Sequence, residues 1–261
     1  MEIKHKKEIE SFERMLSLME QIREECPWDN AQTNDTLRTL TIEEMYELSE
    51  ALLNNDDPNI CKELGDVMMH IIFYSLIGKD KGKFDITDVM DSLSEKLIRR
   101  HPHVFDKNNT WTADEVSKNW EKIKLKEGNR STLSGVPSHL PSLIKAYRIQ
   151  DKARGIGFDW DNVNDVWNKV EEEIEELQTE LKKTDNQENI QNEFGDVLFA
   201  LINYSRFIGV NPDTALEHSN RKFISRFQYI EQKAKEQEKS LQDMTLQEMD
   251  ALWNEAKQKG L

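Results

Sequence analysis

Two stretches of the chain, CKELGDVMMHIIFYS at 61–75 and QNEFGDVLFALINYS at 191–205, are close copies. Each sets a Glu three residues before an Asp, with Gly directly ahead of the Asp, at the head of an aliphatic run. The duplication extends outward when Asp66 is laid on Asp196. Upstream, TIEEMYELSEAL (41–52) matches KVEEEIEELQTEL (169–181), which pairs Glu43, Glu44 and Glu47 with Glu172, Glu173 and Glu176. CPWDN (26–30) lies where GFDWDN (157–162) lies, and EKLIRR (95–100) matches RKFISR (221–226). Four landmarks in one order, with small gaps, mean that the chain folds as two versions of one unit.

The apolar spacing in each copy is helical: Val170, Ile174, Leu177 and Leu181 recur at steps of three and four, as do Val197, Leu198, Leu201 and Ile202. Asn211-Pro212 should end the second of these helices. Gly (10) and Pro (6) are scarce, which favours helices over strands. The expected fold is therefore all-α, with two helices joined by a short connection and packed antiparallel in each unit. Gly, Ser and Pro cluster in KEGNRSTLSGVPSHLPS (126–142), so residues 1–125 form the expected first unit, 126–140 a linker and 141–261 the second unit.

Carboxylates three apart on a helix share a face, so Glu173 and Glu176 can meet Glu193 and Asp196 across such a hairpin. Four carboxylates around one point repel, and a divalent cation removes the repulsion. Oxygen-only ligation suits Mg²⁺, with Mn²⁺ as a substitute. Gly65 and Gly195 would let a backbone or ligand come close. Chance alone yields about one loose pattern of this kind in so acidic a chain, but not two in register. The first unit offers Glu44, Glu47, Glu63 and Asp66 as a possible second metal site. Redox iron is disfavoured, since no His stands three residues beyond Glu47, Glu63, Glu176 or Glu193. No phosphate-cradling glycine loop is present. Lys222 and Arg226, four apart, would share a face and complement a polyphosphate beside the metal; Lys96 and Arg100 repeat the pair. His-Pro-His at 101–103 reads as a loop feature, and Trp28, Phe158, Trp160 and Trp253 read as core or interface.

A formal net charge of −15 argues against duplex nucleic acid as a partner. Cys26 and Cys61 stand far apart in no metal-type spacing and read as reduced thiols. With no signal-like N-terminus and no long apolar run, the expected location is the cytoplasm, with no membrane partner.

With CPWDNAQT, EExxE, ELGDV, KLIRRHPHVF, GFDW, a second EExxE, EFGDVLFALIN and RKFISRF in one chain, the sequence resembles the MazG-type nucleoside triphosphate pyrophosphohydrolases over nearly its whole length. The resemblance implies duplicated helical units dimerising into four-helix-bundle-like cores. It also implies Mg²⁺-dependent hydrolysis of ribo- and deoxyribonucleoside triphosphates, with broad base specificity, to monophosphate and pyrophosphate, clearing nucleotide pools. The implied metal ligands are Glu173, Glu176, Glu193 and Asp196. Glu172 or Glu173 would help deprotonate the attacking water, and Asn203, Lys222 and Arg226 would contact substrate. Phe73 stands where the second unit has Asn203, so the second unit is expected to be the principal active half. The competing reading is a non-catalytic dimeric regulator whose acidic clusters hold structural cations.

Overall fold

The computed structural model describes residues 4–105, 111, 112, 115, 116, 119, 123 and 131–261. All regular structure among them is helical. The chain divides into two compact units, Met1–Thr110 and Trp111–Leu261. Of the expected linker, residues 126–130 lie outside the described residues. Residues 131–140 form turns, and they belong with the second unit: the ammonium of Lys152 donates to the Thr132 carbonyl at 3.3 Å.

In the first unit the helices are α1 (Lys6–Glu25), α2 (Pro27–Asn30), α3 (Asn34–Asn54), α4 (Asp57–Asp80), α5 (Ile86–Arg100) and the single turn α6 (Pro102–Phe105). Thr33 caps α3 in a reciprocal box with Thr36, and Asp56 caps α4 by accepting from the Asn59 amide. Each such cap contributes about 1 kcal/mol by occupying amides that have no partner inside the helix. α3 and α4 pair along their length, and α1 lies against α4. The core between them holds Met19, Leu37, Ile72, Phe73, Leu76 and Ile77, backed by Phe12, Met15, Leu16 and Leu40. Ile72 has no exposed surface, which places its burial at the upper end of the roughly 1.5–3 kcal/mol range for such side chains.

The second unit contains α7 (Ser142–Gly155), α8 (Val163–Glu180), α9 (Gln187–Phe207), α10 (Pro212–Glu236), a 3₁₀ turn (Leu241–Asp243) and α11 (Leu246–Gln258). α8 and α9 form the hairpin that the repeat predicts, α7 packs on α9, and α10 pairs with α11. α9 stops at Phe207, Gly209 turns the chain at φ 69°, and Asn211 caps α10 by accepting from the Asp213 and Thr214 amides at 3.0 and 3.1 Å. Val166 and Val170 are the fully buried side chains of α8, and Val197, Ala200, Ile202 and Asn203 are buried on α9.

No described helix is long and apolar enough to cross a membrane. Cys26 and Cys61 are both free thiols. Three of the aromatic residues expected in a core or interface lie outside the core of their own unit: Trp28, Phe158 and Trp160 are exposed. His-Pro-His opens α6, with the two imidazoles 5.7 Å apart, and neither His joins a carboxylate cluster.

Candidate active site

The helical period brings the repeat's carboxylates together between the paired helices of each hairpin. In the second unit one carboxylate oxygen from each of Glu173, Glu193 and Asp196 lies within 4.8 Å of the other two. Glu44, Glu63 and Asp66 do the same in the first unit. Glu176 and Glu47 stand outside these tight triads. They remain electrostatic neighbours: Glu176 helps to raise the pKa of Glu193, and Glu47 that of Glu44. Partial desolvation is the larger cause in both cases, followed by repulsion among the clustered carboxylates.

Both triads have the character of hard-cation sites. All six donors are carboxylate oxygens, the ligand type of Mg²⁺ and Mn²⁺. Glu173 and Glu63 are buried, at 8% and 5% exposure, where an uncompensated charge is costly. The Oε2 atom of Glu63 is buried without a hydrogen-bond partner, as expected of an oxygen shaped for a ligand outside the chain. Lysine supplies part of the compensation. Lys169 reaches Glu172 Oε1 and Glu173 Oε1, both at 2.8 Å, and these contacts raise its pKa. Lys62 lies 2.8 Å from Glu63 Oε1 and 3.9 Å from Asp66 Oδ2.

In the second unit a cleft of about 510 Å³ opens beside the triad. Glu173 and Asp196 form part of its lining, Asn203 faces it, and Ile149, Ile156, Phe158 and Phe199 make much of its apolar wall. A pocket of this size with few polar groups is the usual form of a small-molecule site. Asn203 is only 4% exposed. Arg206 donates to its Oδ1 from Nη2 at 2.8 Å and from Nε at 3.3 Å. Arg206 in turn makes a two-pronged ion pair with Asp159, with Nη1 2.8 Å from Oδ2.

Glu172 is exposed and engaged with Lys169. Lys222 is exposed on α10, and Arg226 is bound to the Leu261 carbonyl at 2.7 Å and lies over the Trp253 ring. Neither basic residue lines the cleft. Among the described residues no neighbouring atom lies within 4 Å of a Cβ built on Gly65 or Gly195, so none of them makes the close backbone approach expected there. Sequence reasoning missed Lys169, Asp159 and Arg206. The Asn203–Arg206 spacing of three on one helix was an available signal; the pairing with Asp159 was not.

Comparison with known proteins agrees with this geometry. The MazG nucleotide pyrophosphohydrolase domain matches residues 32–105 and again 163–230, once in each unit. The chain belongs to the MazG family. It is 39% identical over 251 residues to the nucleoside triphosphate pyrophosphohydrolase/pyrophosphatase MazG of Thermotoga maritima, covering 94% of this chain and 95% of that one. It is 35% identical to the nucleoside triphosphate pyrophosphohydrolase of Escherichia coli K12, over 94% of this chain and 97% of the other. Bacillus subtilis YabN is 44% identical over 236 residues, spanning 89% of this chain but 48% of YabN. In this MazG chain both copies keep the carboxylate triad, and in the second a cleft lies beside it.

Proposed function

We propose that this MazG enzyme hydrolyses ribo- and deoxyribonucleoside triphosphates to monophosphate and pyrophosphate with Mg²⁺, at a principal site in the second unit. The observation that carries this reading is the convergence of Glu173, Glu193 and Asp196 at a cleft that also contains Asn203. Membership of the family and the nucleoside triphosphate pyrophosphohydrolase activity for which the Thermotoga and Escherichia relatives are named support the same bond assignment.

Glu173, Glu193 and Asp196, with Glu176 beside them, would hold the cation. When bound, the cation supplies charge neutralisation for the phosphates and lowers the pKa of the attacking water. Glu172 or Glu173 accepts the proton as that water attacks the α-phosphorus, the role of a carboxylate general base. Pyrophosphate leaves; the resemblance gives the balancing of its charge to Lys222 and Arg226, which would have to reach it from outside the cleft lining. The apolar wall holds the nucleoside by contacts that every base can make, which supports broad base specificity.

The active form is a homodimer in the cytoplasm. Phe194, Leu198 and Leu201 form an exposed stripe on α9, and Leu64, Met68 and Ile71 repeat it on α4. Ile174 on α8 and Leu181 at its C-cap are exposed as well. A contiguous apolar face of this kind is normally covered by a partner, and a second copy completes a four-helix-bundle-like core. A product assay with Mg²⁺ across nucleoside triphosphates tests the reading. Monophosphate and pyrophosphate are expected, and diphosphate plus orthophosphate would refute the bond assignment. Sedimentation of a fully active monomer would refute the dimer.

A further inference from the structure

We infer that Asp159 and Arg206 form a positioning pair that fixes which end of the Asn203 carboxamide faces the cleft, making its NH₂ a donor to the nucleoside portion of the substrate. This rests on the proposed hydrolysis of nucleoside triphosphates and deepens it.

An Asn side chain has one accepting and one donating end of nearly the same shape, and rotation by half a turn exchanges them. Arginine has donors only. With Arg206 Nη2 at 2.8 Å and Nε at 3.3 Å, only Oδ1 of Asn203 can face the guanidinium. The Nδ2 amide is left to face the cleft, and no hydrogen bond from it is formed among the described residues. The guanidinium cannot swing away easily. Both Nη atoms are held by the Asp159 carboxylate, and the Arg206 side chain is only 7% exposed. It also lies 4.8 Å over the Phe207 ring. Asp159 comes from the loop between α7 and α8, whereas Arg206 and Asn203 lie on α9, so the pair ties the loop to the helix and sets the amide in one motion.

The Asn203 N–H₂, beside an apolar wall, is open to an acceptor on a bound ligand, and a ligand that covered it without supplying one would lose free energy. Asn203 lies seven residues, about two helical turns, beyond the cation-side Asp196 on the same helix. The acceptor is therefore on the nucleoside portion, either the sugar or the base, and not on the phosphates held beside Asp196. The first unit has none of this: Phe73 and Leu76 stand where the second has Asn203 and Arg206.

The test is a double-mutant cycle on kcat and KM with the full chain and saturating Mg²⁺. Asn203→Ala is expected to raise KM roughly tenfold, the scale of one neutral hydrogen bond in a buried site, with kcat changed much less. Asp159→Asn is expected to raise KM several-fold in the natural background and not at all on top of Asn203→Ala. A merely structural role for the pair would lower both backgrounds alike, and that additive result would overturn the inference. Arg206→Lys, which keeps a donor and a charge, should recover part of the loss seen with Arg206→Leu; equal losses would also overturn it. If Asp159→Asn does not fold, the same cycle run with Arg206→Lys decides. Repeating the KM measurement with four ribonucleotides and their deoxy forms places the acceptor: an equal effect on all puts it on the sugar, and a base-dependent effect puts it on the base. A natural enzyme that releases no pyrophosphate from any triphosphate would instead refute the underlying activity.

Discussion

The two units share a hairpin and a carboxylate triad and differ in what lies behind it. In the second unit Ala200 and Asn203 face an open cleft. In the first, the same positions are His70 and Phe73, and both are buried. Thr41 Oγ1 lies 2.9 Å from His70 Nδ1 and 2.7 Å from the Tyr74 hydroxyl, and Phe73 packs among Met19, Ile72 and Ile77. Arg23 of α1 covers the Phe73 ring at 5.6 Å. The first unit has thus used as core the space that the second keeps as a chamber. The carboxylate triad survives this change, since Glu44, Glu63 and Asp66 still converge in the first unit; a nucleoside site in that space would not.

The largest expected effect comes from removing matched carboxylates. Glu176→Ala should lower kcat by at least ~10²-fold, the scale for losing a group that positions metal or proton. Glu47→Ala should leave most activity. Equal losses would mean that both halves work or are coupled, and a larger loss from Glu47→Ala would reverse the assignment of the active half. Next in size is a transplant. Ala200→His puts the first unit's plug into the second unit's cleft and should raise KM by at least on the order of tenfold, while circular dichroism keeps its helical signal. An unchanged KM would show that the cleft does not hold the nucleoside.

A smaller effect is expected at Lys62, whose ammonium stands against Glu63 and Asp66 where the second unit has Asn192. Lys62→Gln removes a built-in cation and should tighten Mn²⁺ binding at the first triad a few-fold, read by titration of the paramagnetic ion, with pyrophosphate release unchanged. Weaker binding would mean that the lysine helps to assemble the triad.

Much of this contrast was legible in the sequence and part was not. The duplication, the helical period and the paired carboxylates are local patterns, and the fold follows them. The replacement of Asn203 by Phe73 was readable because the two copies align residue by residue. The reach of each carboxylate was less so: Glu173, Glu193 and Asp196 close to within 4.8 Å while Glu176 stays exposed, a matter of helix rotation within the hairpin that spacing alone does not determine. The Asp159–Arg206 pair joins a loop to a helix across 47 positions, and no local pattern announces a contact of that range. The spacing of Lys222 and Arg226 puts them on one helix but does not fix where that helix packs, and it packs chiefly on α11, away from the cleft lining.

The smallest expected effect separates the units by pH. His70 is buried in the first unit, and burial lowers its pKa below the ordinary 6.5, with Asp66 pulling weakly the other way. The folded imidazole therefore resists protonation that the unfolded chain accepts. Between the lowered value and 6.5 the unfolded state binds more protons, so stability must fall as pH drops through that window and level off below it. The second unit has Ala200 at this position and no equivalent group. Thermal unfolding of the metal-free chain followed from pH 7.5 to 5 should shift the first unit's transition downward, and His70→Ala should remove that share of the slope. His70→Ala will also lower the transition at every pH, since it opens a cavity and strips Thr41 of a partner. The slope and not the height of the transition is thus the quantity to compare. A slope that persists unchanged in His70→Ala would refute the assignment to His70, and the carboxylates with raised pKa could not be its source. Those act with the opposite sign: a raised acid such as Glu44 or Glu193 binds its proton more readily in the folded state, so its contribution falls as pH rises through the carboxylate range.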